Sequence, residues 1–95
     1  MDRYKLQSYI NIAKKAGYVI IGGDKLYNYK KKLYLIIYEE DAGKNTLKII
    51  ERLKTKDVPI VSIENLSTLM NMTNCKLIAI KNKNLSDIIY NIIKE

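Results

Sequence analysis

The segment that most constrains the fold is Leu33-Tyr34-Leu35-Ile36-Ile37-Tyr38, an unbroken apolar and aromatic run near the middle of the chain. A strand with one wet face alternates apolar and polar residues, whereas an unbroken run is typical of a strand that is covered on both faces. The run therefore predicts a sheet that is buried on both sides.

Helix-type and strand-type segments alternate around this run, which predicts an α/β fold with a central sheet between helices. Helical crossovers between the strands indicate that much of the sheet is parallel. With 95 residues and one proline, the chain is predicted to form a single domain, 1–95. Five helices are predicted: the first spans Asp2 to Ala16, the second contains Leu26 and Tyr27, the third contains Leu47, Ile50 and Leu53, the fourth contains Leu66, Leu69 and Met70, and the last contains Leu85 to Ile93. The predicted strands are Tyr18 to Ile21, Leu33 to Tyr38, Val58 to Val61 and Lys76 to Ile80.

Polar residues and glycines mark where the helices begin and end. Gly17 is a predicted left-handed C-terminal cap for the first helix. Asp24, Ser62 and Asn84 are predicted N-caps of the second, fourth and last helices. Asn45 and Thr46 are expected at the start of the third helix.

Positive charge is the main compositional signal. The 17 Lys and Arg residues outnumber the 10 Asp and Glu residues and give a formal net charge of +7. This balance favours a polyanionic partner, and solvated lysines from a lysine-rich proteome are the alternative.

The candidate phosphate contacts are Lys14, Lys25 and the run Lys30-Lys31-Lys32 at the end of the second predicted helix. For the run, RNA contact and plain solvation both stay open. Tyr27 and Tyr34 lie among these lysines, and we expect both rings to pack in the core rather than stack on bases.

The residues for catalysis are missing. There is no His, and Asp41-Ala42-Gly43-Lys44-Asn45-Thr46 lacks two positions that a phosphate-binding loop requires, because Tyr38 replaces the first glycine and Asn45 follows the lysine. The acidic run Glu39 to Asp41 is interpreted as a solvated turn rather than a cation site. Cys75, the single cysteine, is predicted to be a buried structural thiol. The N-terminus does not resemble a signal peptide, and no apolar run is long enough to span a bilayer, so a reducing cytoplasm is expected.

Three motifs are similar to those of the ribosomal protein L-seven-Ae / L-thirty-e superfamily, especially its small bacterial members. Together they cover almost the whole chain. The motifs are Ile12-Ala13-Lys14-Lys15-Ala16-Gly17 leading into a strand that ends at Gly22, the strand Leu33 to Tyr38 followed by Asp41, Ala42, Asn45 and Thr46, and Val58-Pro59-Ile60-Val61 leading to Leu66.

The resemblance implies a three-layer α-β-α sandwich with a mixed four-stranded sheet. It also implies binding of structured RNA, typically kink-turns, in ribonucleoprotein particles such as the ribosome. In that family the RNA contacts the loop after the first strand, the start of the second helix and the loop before the fourth helix. The corresponding positions are Gly22 and Gly23, then Asp24, Lys25 and Asn28, then Ser62, Ile63 and Glu64, with Ile63 against an extruded nucleotide.

The second-helix motif departs from the family pattern Asn-Glu-x-x-Lys, because Asp24, Lys25 and Asn28 occupy its defining positions. Asp24 repels phosphates and can only accept hydrogen bonds. Lys25 can donate to guanine O6 and N7, and Asn28 can donate to a base or the RNA backbone. The departures favour general RNA affinity over kink-turn specificity.

The leading prediction is a non-catalytic, cytoplasmic RNA-binding protein whose partner is structured RNA, ribosomal RNA included. It uses no cofactor, metal, membrane or small-molecule substrate. One alternative is a protein-interaction module that kept the fold and lost specific RNA binding. A small nucleotide-binding enzyme is the remaining alternative, and the failed phosphate loop counts against it.

Overall fold

The computed structural model describes all 95 residues. None of its helices combines the length and apolar character that crossing a bilayer requires. Helices and strands alternate in the predicted order. The elements are α1 (Arg3–Lys15), β1 (Val19–Ile21), α2 (Gly23–Asn28), β2 (Leu35–Glu39), α3 (Lys44–Leu53), a 3-10 turn (Lys54–Lys56), β3 (Ile60–Ile63), α4 (Leu66–Leu69), β4 (Leu77–Ile80) and α5 (Lys83–Lys94).

The four strands form one mixed sheet in the order β1-β4-β2-β3. β4 lies between β1 and β2 and is antiparallel to both, so only β2 and β3 pair in parallel. The expectation that much of the sheet is parallel is therefore wrong. The reason is that α4 has only four residues and a rise of about 6 Å. It cannot return the chain along the sheet, so β4 starts at the end where β3 stops.

Helices cover both faces of the sheet, which gives the three-layer α-β-α sandwich. One core contains Leu6 of α1, Leu66 of α4 and Ile89 of α5, and the other contains Leu26 of α2 and Ile50 of α3. The strand β2 contributes to both cores. Leu35 and Ile37 face the first and Ile36 the second, and each is 0% exposed. The two-sided burial predicted from its apolar run is confirmed.

The first helix begins and ends as predicted, to within one residue. The Asp2 carboxylate accepts a hydrogen bond of 3.0 Å from the Lys5 N–H and caps the N-terminus of the helix. At the other end Gly17 has a φ of +77°, and the Tyr18 N–H donates to the Ala13 carbonyl at 2.9 Å. This is the glycine-terminated Schellman geometry, which few other residues adopt without strain.

The predicted caps of the later helices are wrong. α2 follows Gly22, with Asp24 inside its first turn, and α5 follows Asn82, whose Oδ1 accepts from the Leu85 N–H at 2.9 Å, so Asn84 lies inside the helix. Ser62 lies within β3, because α4 is capped from elsewhere in the fold, as described below. Asn45 and Thr46 do lie in the first turn of α3, as expected, although no side chain caps its backbone.

Two strands and one helical stripe differ from the prediction. β2 begins at Leu35, although Leu33 is still buried, and β3 runs from Ile60 to Ile63 after Pro59. Leu47 was expected in the buried stripe of α3 but is 44% exposed. Ile49 is half-buried instead, because α3 turns that side toward Gly23 of α2.

Candidate nucleic-acid interface

The strand pairings place the predicted RNA contacts at two opposite ends of the sheet. At one end, the glycine end, β1, β2 and β3 finish and β4 begins, since Ile21 lies opposite Ile78 and Glu39 opposite Ile63. At the other, the lysine end, Val19 and the start of β2 lie opposite Ile80. Helix α2 runs from the first end to the second. The Gly22–Gly23 turn and the Lys30–Lys32 run are therefore separated by the length of this helix.

At the glycine end, the start of α2 offers few free groups for base recognition. The Gly22 N–H donates to the Leu77 carbonyl of β4 at 3.1 Å. The Asn28 amide donates to the Asp24 carbonyl at 3.0 Å, so the helix itself uses a donor that was predicted to contact RNA. Of the predicted second-helix contacts, Lys25 alone is an exposed cation.

The loop before α4 also lies at the glycine end, but its surface is acidic. Ser62 and Glu64 are exposed, whereas Ile63 is 3% exposed and packs in the core. Ile63 therefore has almost no surface to offer the nucleotide that it was expected to contact. Beside them is an open hollow of about 340 Å³ lined by Glu39, Glu40, Asp41, Glu64 and Asn65. The Arg3 guanidinium donates to the Asn65 carbonyl at 3.1 Å and offsets only part of this negative charge. Phosphates are repelled from such a surface.

Glu40 and Asp41 form an exposed turn as predicted, but Glu39 is buried in β2, which corrects the interpretation for this residue. It is 7% exposed, and its carboxylate accepts hydrogen bonds from the backbone N–H groups of Asn65 at 3.2 Å and Leu66 at 2.9 Å. These bonds satisfy free donors at the start of α4. No three His, Cys, Asp or Glu side chains form a group that could hold a metal ion.

Lys14, predicted to contact phosphate, is half-buried and bonded within the protein. Its Nζ donates to the Met70 carbonyl at 2.6 Å and so joins the end of α1 to the end of α4. Because Lys14 is half-buried as well as bonded, its ammonium group is less accessible to an RNA than that of an exposed lysine. It does not belong to the exposed basic residues.

The lysine end carries the most concentrated positive charge. Lys30, Lys31 and Lys32 lie in the loop after α2, not in its last turn, and line an open hollow of about 360 Å³. Lys56 lines this hollow and also a second one of about 540 Å³, which Tyr27 and Arg52 border. We call these six residues the basic surface: Tyr27, Lys30, Lys31, Lys32, Arg52 and Lys56.

Two contacts hold the parts of the basic surface together. Lys56 Nζ donates to the Tyr29 carbonyl at 2.7 Å and ties the 3-10 turn to the end of α2. The Arg52 guanidinium lies 5.1 Å from the centre of the Tyr27 ring. Tyr27 was expected in the core but is 51% exposed, whereas Tyr34 is half-buried, with Lys32 Nζ 5.3 Å from its ring centre.

The cations of the basic surface have no carboxylate partner. The ion pairs of the protein are Lys54–Glu51 at 2.8 Å and Lys83–Asp87 at 2.9 Å, and all four side chains are exposed. The hydrogen bond and charge of Glu51 raise the pKa of Lys54. Lys54 is thus paired within the protein, while its neighbours Arg52 and Lys56 keep their charges available to a ligand.

Sequence reasoning identified neither Arg52 nor Lys56 as a candidate contact. Both residues become part of the surface because the end of α3 packs beside α2, a contact between elements that are separated in sequence. The interleaved tyrosines and lysines were the available signal, and they identified Lys30 to Lys32 correctly as exposed residues.

The predicted buried thiol is confirmed. Cys75 is 2% exposed and forms no disulfide, and burial raises the pKa of its thiol. The Ser67 hydroxyl accepts from the Cys75 N–H at 2.7 Å and donates to its carbonyl at 3.2 Å, which closes the turn before β4. A protonated, inaccessible thiol is a poor nucleophile.

Comparison with known proteins supports the fold alone. No family model and no curated protein matches the sequence. Among solved structures, a protein of unknown function from Bacillus halodurans superposes with a TM-score of 0.84 at 20% sequence identity. The match covers 96% of this chain and 98% of the other, so the whole α/β sandwich is shared.

Proposed function

We propose that this chain is a non-catalytic RNA-binding protein of the L-seven-Ae / L-thirty-e type, which contacts structured RNA through α2 and the loop that follows it. The observation that carries the proposal is the basic surface, where Lys30, Lys31, Lys32, Arg52 and Lys56 have no carboxylate within ion-pair distance. Unpaired cations are attracted to phosphates, and when they bind they displace the counterions that are condensed on the nucleic acid. A cytoplasmic ribonucleoprotein particle, the ribosome included, is the proposed setting.

The main RNA contact in this proposal lies beyond the end of α2 rather than at its start. Lys25 stays exposed on the same helix, between the glycine end and the basic surface. The acidic residues Glu40, Asp41 and Glu64 lie at the glycine end and orient a polyanion toward the opposite end. Phosphate contacts therefore contribute more to this binding than base recognition by Asp24, Lys25 and Asn28.

The test is a titration of a kink-turn RNA and an unrelated hairpin of equal length at two salt concentrations. The test variant replaces Lys30, Lys31 and Lys32 by Ala, and the matched control replaces the exposed Lys5, Lys15 and Lys94 by Ala. Both variants lose the same charge. We expect the test variant alone to lose about tenfold or more in affinity, with a salt slope smaller by up to about three.

A preference for the kink-turn that Lys25→Ala removes would show that the start of α2 also reads bases. Equal losses in both triple variants would mean that overall charge, not the basic surface, attracts RNA, and would contradict the proposal. Absence of binding at low salt would also contradict it.

Absence of RNA binding would favour the second candidate, a protein-interaction module on the same fold. The observation in its favour is that the residues matching the family's base-reading motif are poorly suited to RNA. Asp24 is a carboxylate, and the Asn28 amide is bonded to its own helix.

A further inference from the structure

Tyr27 is unusual among the large side chains near the basic surface because half of it is accessible. Its neighbour Leu26 is 0% exposed and anchors α2 to the core, whereas Tyr27 is 51% exposed. Exposing an aromatic ring to water forgoes the burial that such a residue ordinarily gains. Arg52, which lies 5.1 Å from the ring centre, belongs to a different helix, so two elements position this pair.

The hollow beside this pair suits a small planar group. Its volume is about 540 Å³, and Tyr27, Arg52, Leu53, Thr55 and Lys56 line it. Sites for small ligands commonly measure on the order of 300–1,000 Å³. Tyrosine and guanidinium groups are both flat and both stack on nucleobases.

We propose that this hollow takes one unpaired base of a bound RNA, stacked against Tyr27 and Arg52, with its flanking phosphates on Lys56 and the Lys30–Lys32 loop. The inference rests on the proposed function and adds the class of RNA, which is a single-stranded segment or an unpaired nucleotide next to a helix. Lys56 fixes the path of the strand between the two hollows, because it lines both and is held by its bond to the Tyr29 carbonyl.

The proposed stacking uses the flat faces of Tyr27 and Arg52 rather than their hydrogen-bonding groups, and Thr55 adds little to distinguish one base from another. The Thr55 hydroxyl donates to the Arg52 carbonyl at 2.9 Å, which leaves its oxygen as an acceptor but no free donor. Stacking tolerates all four bases because each has a flat face. We therefore expect weak sequence preference, but strong preference for an unpaired base, since a base inside a duplex cannot present its face to Tyr27.

The experiment compares a single-stranded oligonucleotide containing one 2-aminopurine with a blunt RNA duplex of equal charge. The proteins are wild type, Tyr27→Phe, Tyr27→Ala and the control Tyr4→Ala, which removes a tyrosine that is 83% exposed on α1. Thermal melts verify that each variant folds. We expect Tyr27→Ala to weaken single-strand binding by about 5- to 150-fold and leave duplex binding unchanged. Tyr27→Phe and Tyr4→Ala should stay within about twofold of wild type, because Phe keeps the stacking face.

Fluorescence gives a second readout. Stacking on Tyr27 changes the 2-aminopurine emission in the wild type, and this change should vanish with Tyr27→Ala. Arg52→Lys keeps the charge but removes the flat group, so it should reduce affinity at an unchanged salt slope. The inference is overturned if Tyr27→Ala retains wild-type affinity and emission while the Lys30–Lys32 variant is impaired; the proposed function then stands. If the proposed function itself fails, the wild type binds neither the single strand nor the duplex, so the two failures are distinguishable.

Discussion

The carboxylate of Glu39, at the end of β2, accepts a hydrogen bond of 2.9 Å from the backbone N–H of Leu66, the first residue of α4. A second bond, from the Asn65 N–H, goes to the other carboxylate oxygen at 3.2 Å. Glu39 and Leu66 are 27 positions apart in the sequence. A side chain from the central sheet thus does the work that a local N-cap residue does in most helices.

Replacing this carboxylate should destabilise the protein. We expect Glu39→Ala to lower the free energy of unfolding by about 2–3 kcal/mol, because it leaves one buried and one partly buried N–H donor without a partner. Glu39→Gln keeps one acceptor oxygen and should cost about half as much. Urea denaturation measures both, with the exposed Glu40→Ala as the control, which should stay within about 0.5 kcal/mol of wild type. Equal effects at positions 39 and 40 would contradict the capping role.

Lys14 should matter for stability rather than for RNA. Removing its bond to the Met70 carbonyl with Lys14→Met should lower the free energy of unfolding by about 1–2 kcal/mol. The neighbouring Lys15 is exposed, so Lys15→Met is a control with the same charge change. Both variants should bind RNA within about threefold of wild type, as expected for one lost long-range charge. A Lys14→Met protein of normal stability that no longer binds RNA would restore the original prediction for this residue.

The two adjacent glycines should respond differently to alanine. Gly22 has a φ of +98° and a ψ of 145°, a conformation that is nearly restricted to glycine, so Gly22→Ala should cost about 1–3 kcal/mol. A β-carbon at Gly23 meets only the end of the Ile49 side chain, which can rotate, and alanine favours the helix. Gly23→Ala should therefore stay within about 1 kcal/mol of wild type. Thermal melts of the two variants would test this order, and a larger loss at Gly23 would refute it.

The stability that Cys75 contributes should depend on pH. Its pKa is raised above the ordinary value of 9.0 by burial, so the folded state retains the thiol proton after the unfolded chain loses it. The contribution is fully present below pH 9.0 and falls as the pH rises above that value. The stability difference between wild type and Cys75→Ala should shrink accordingly, which denaturation at pH 8 and at higher pH can measure. A difference that grows with pH would contradict the burial of a neutral thiol.

The order of elements and the two-sided burial of β2 could be predicted from the sequence, because both depend on local apolar patterns. The caps could not. The cap of α4 comes from Glu39, and the partner of Lys14 lies 56 positions away at Met70, so no window of neighbouring residues contains either contact. The antiparallel direction of β4 was missed for the same reason, since the shortness of α4 has its effect only once the strands are in place.

The positive charge of the candidate site could be predicted from the sequence, but not which residues lie together on the same surface. Lys30 to Lys32 are exposed as the sequence indicates, yet Gly22 and Glu64 lie at the other end of the sheet. Arg52 joins Tyr27 only through the packing of α3 beside α2. Family motifs identify positions one at a time, and the fold decides which of them face the same ligand.

The central position of β4 has a consequence for how the protein is made. β1 pairs with no strand except β4, and β2 needs β4 to connect it to β1, so the sheet cannot close until Ile80 has been synthesised. A chain emerging from the ribosome holds β1 without a strand partner until β4 has followed it out. The sheet therefore closes only after β4 has been made, and a chain truncated before β4 has no route to the native sheet.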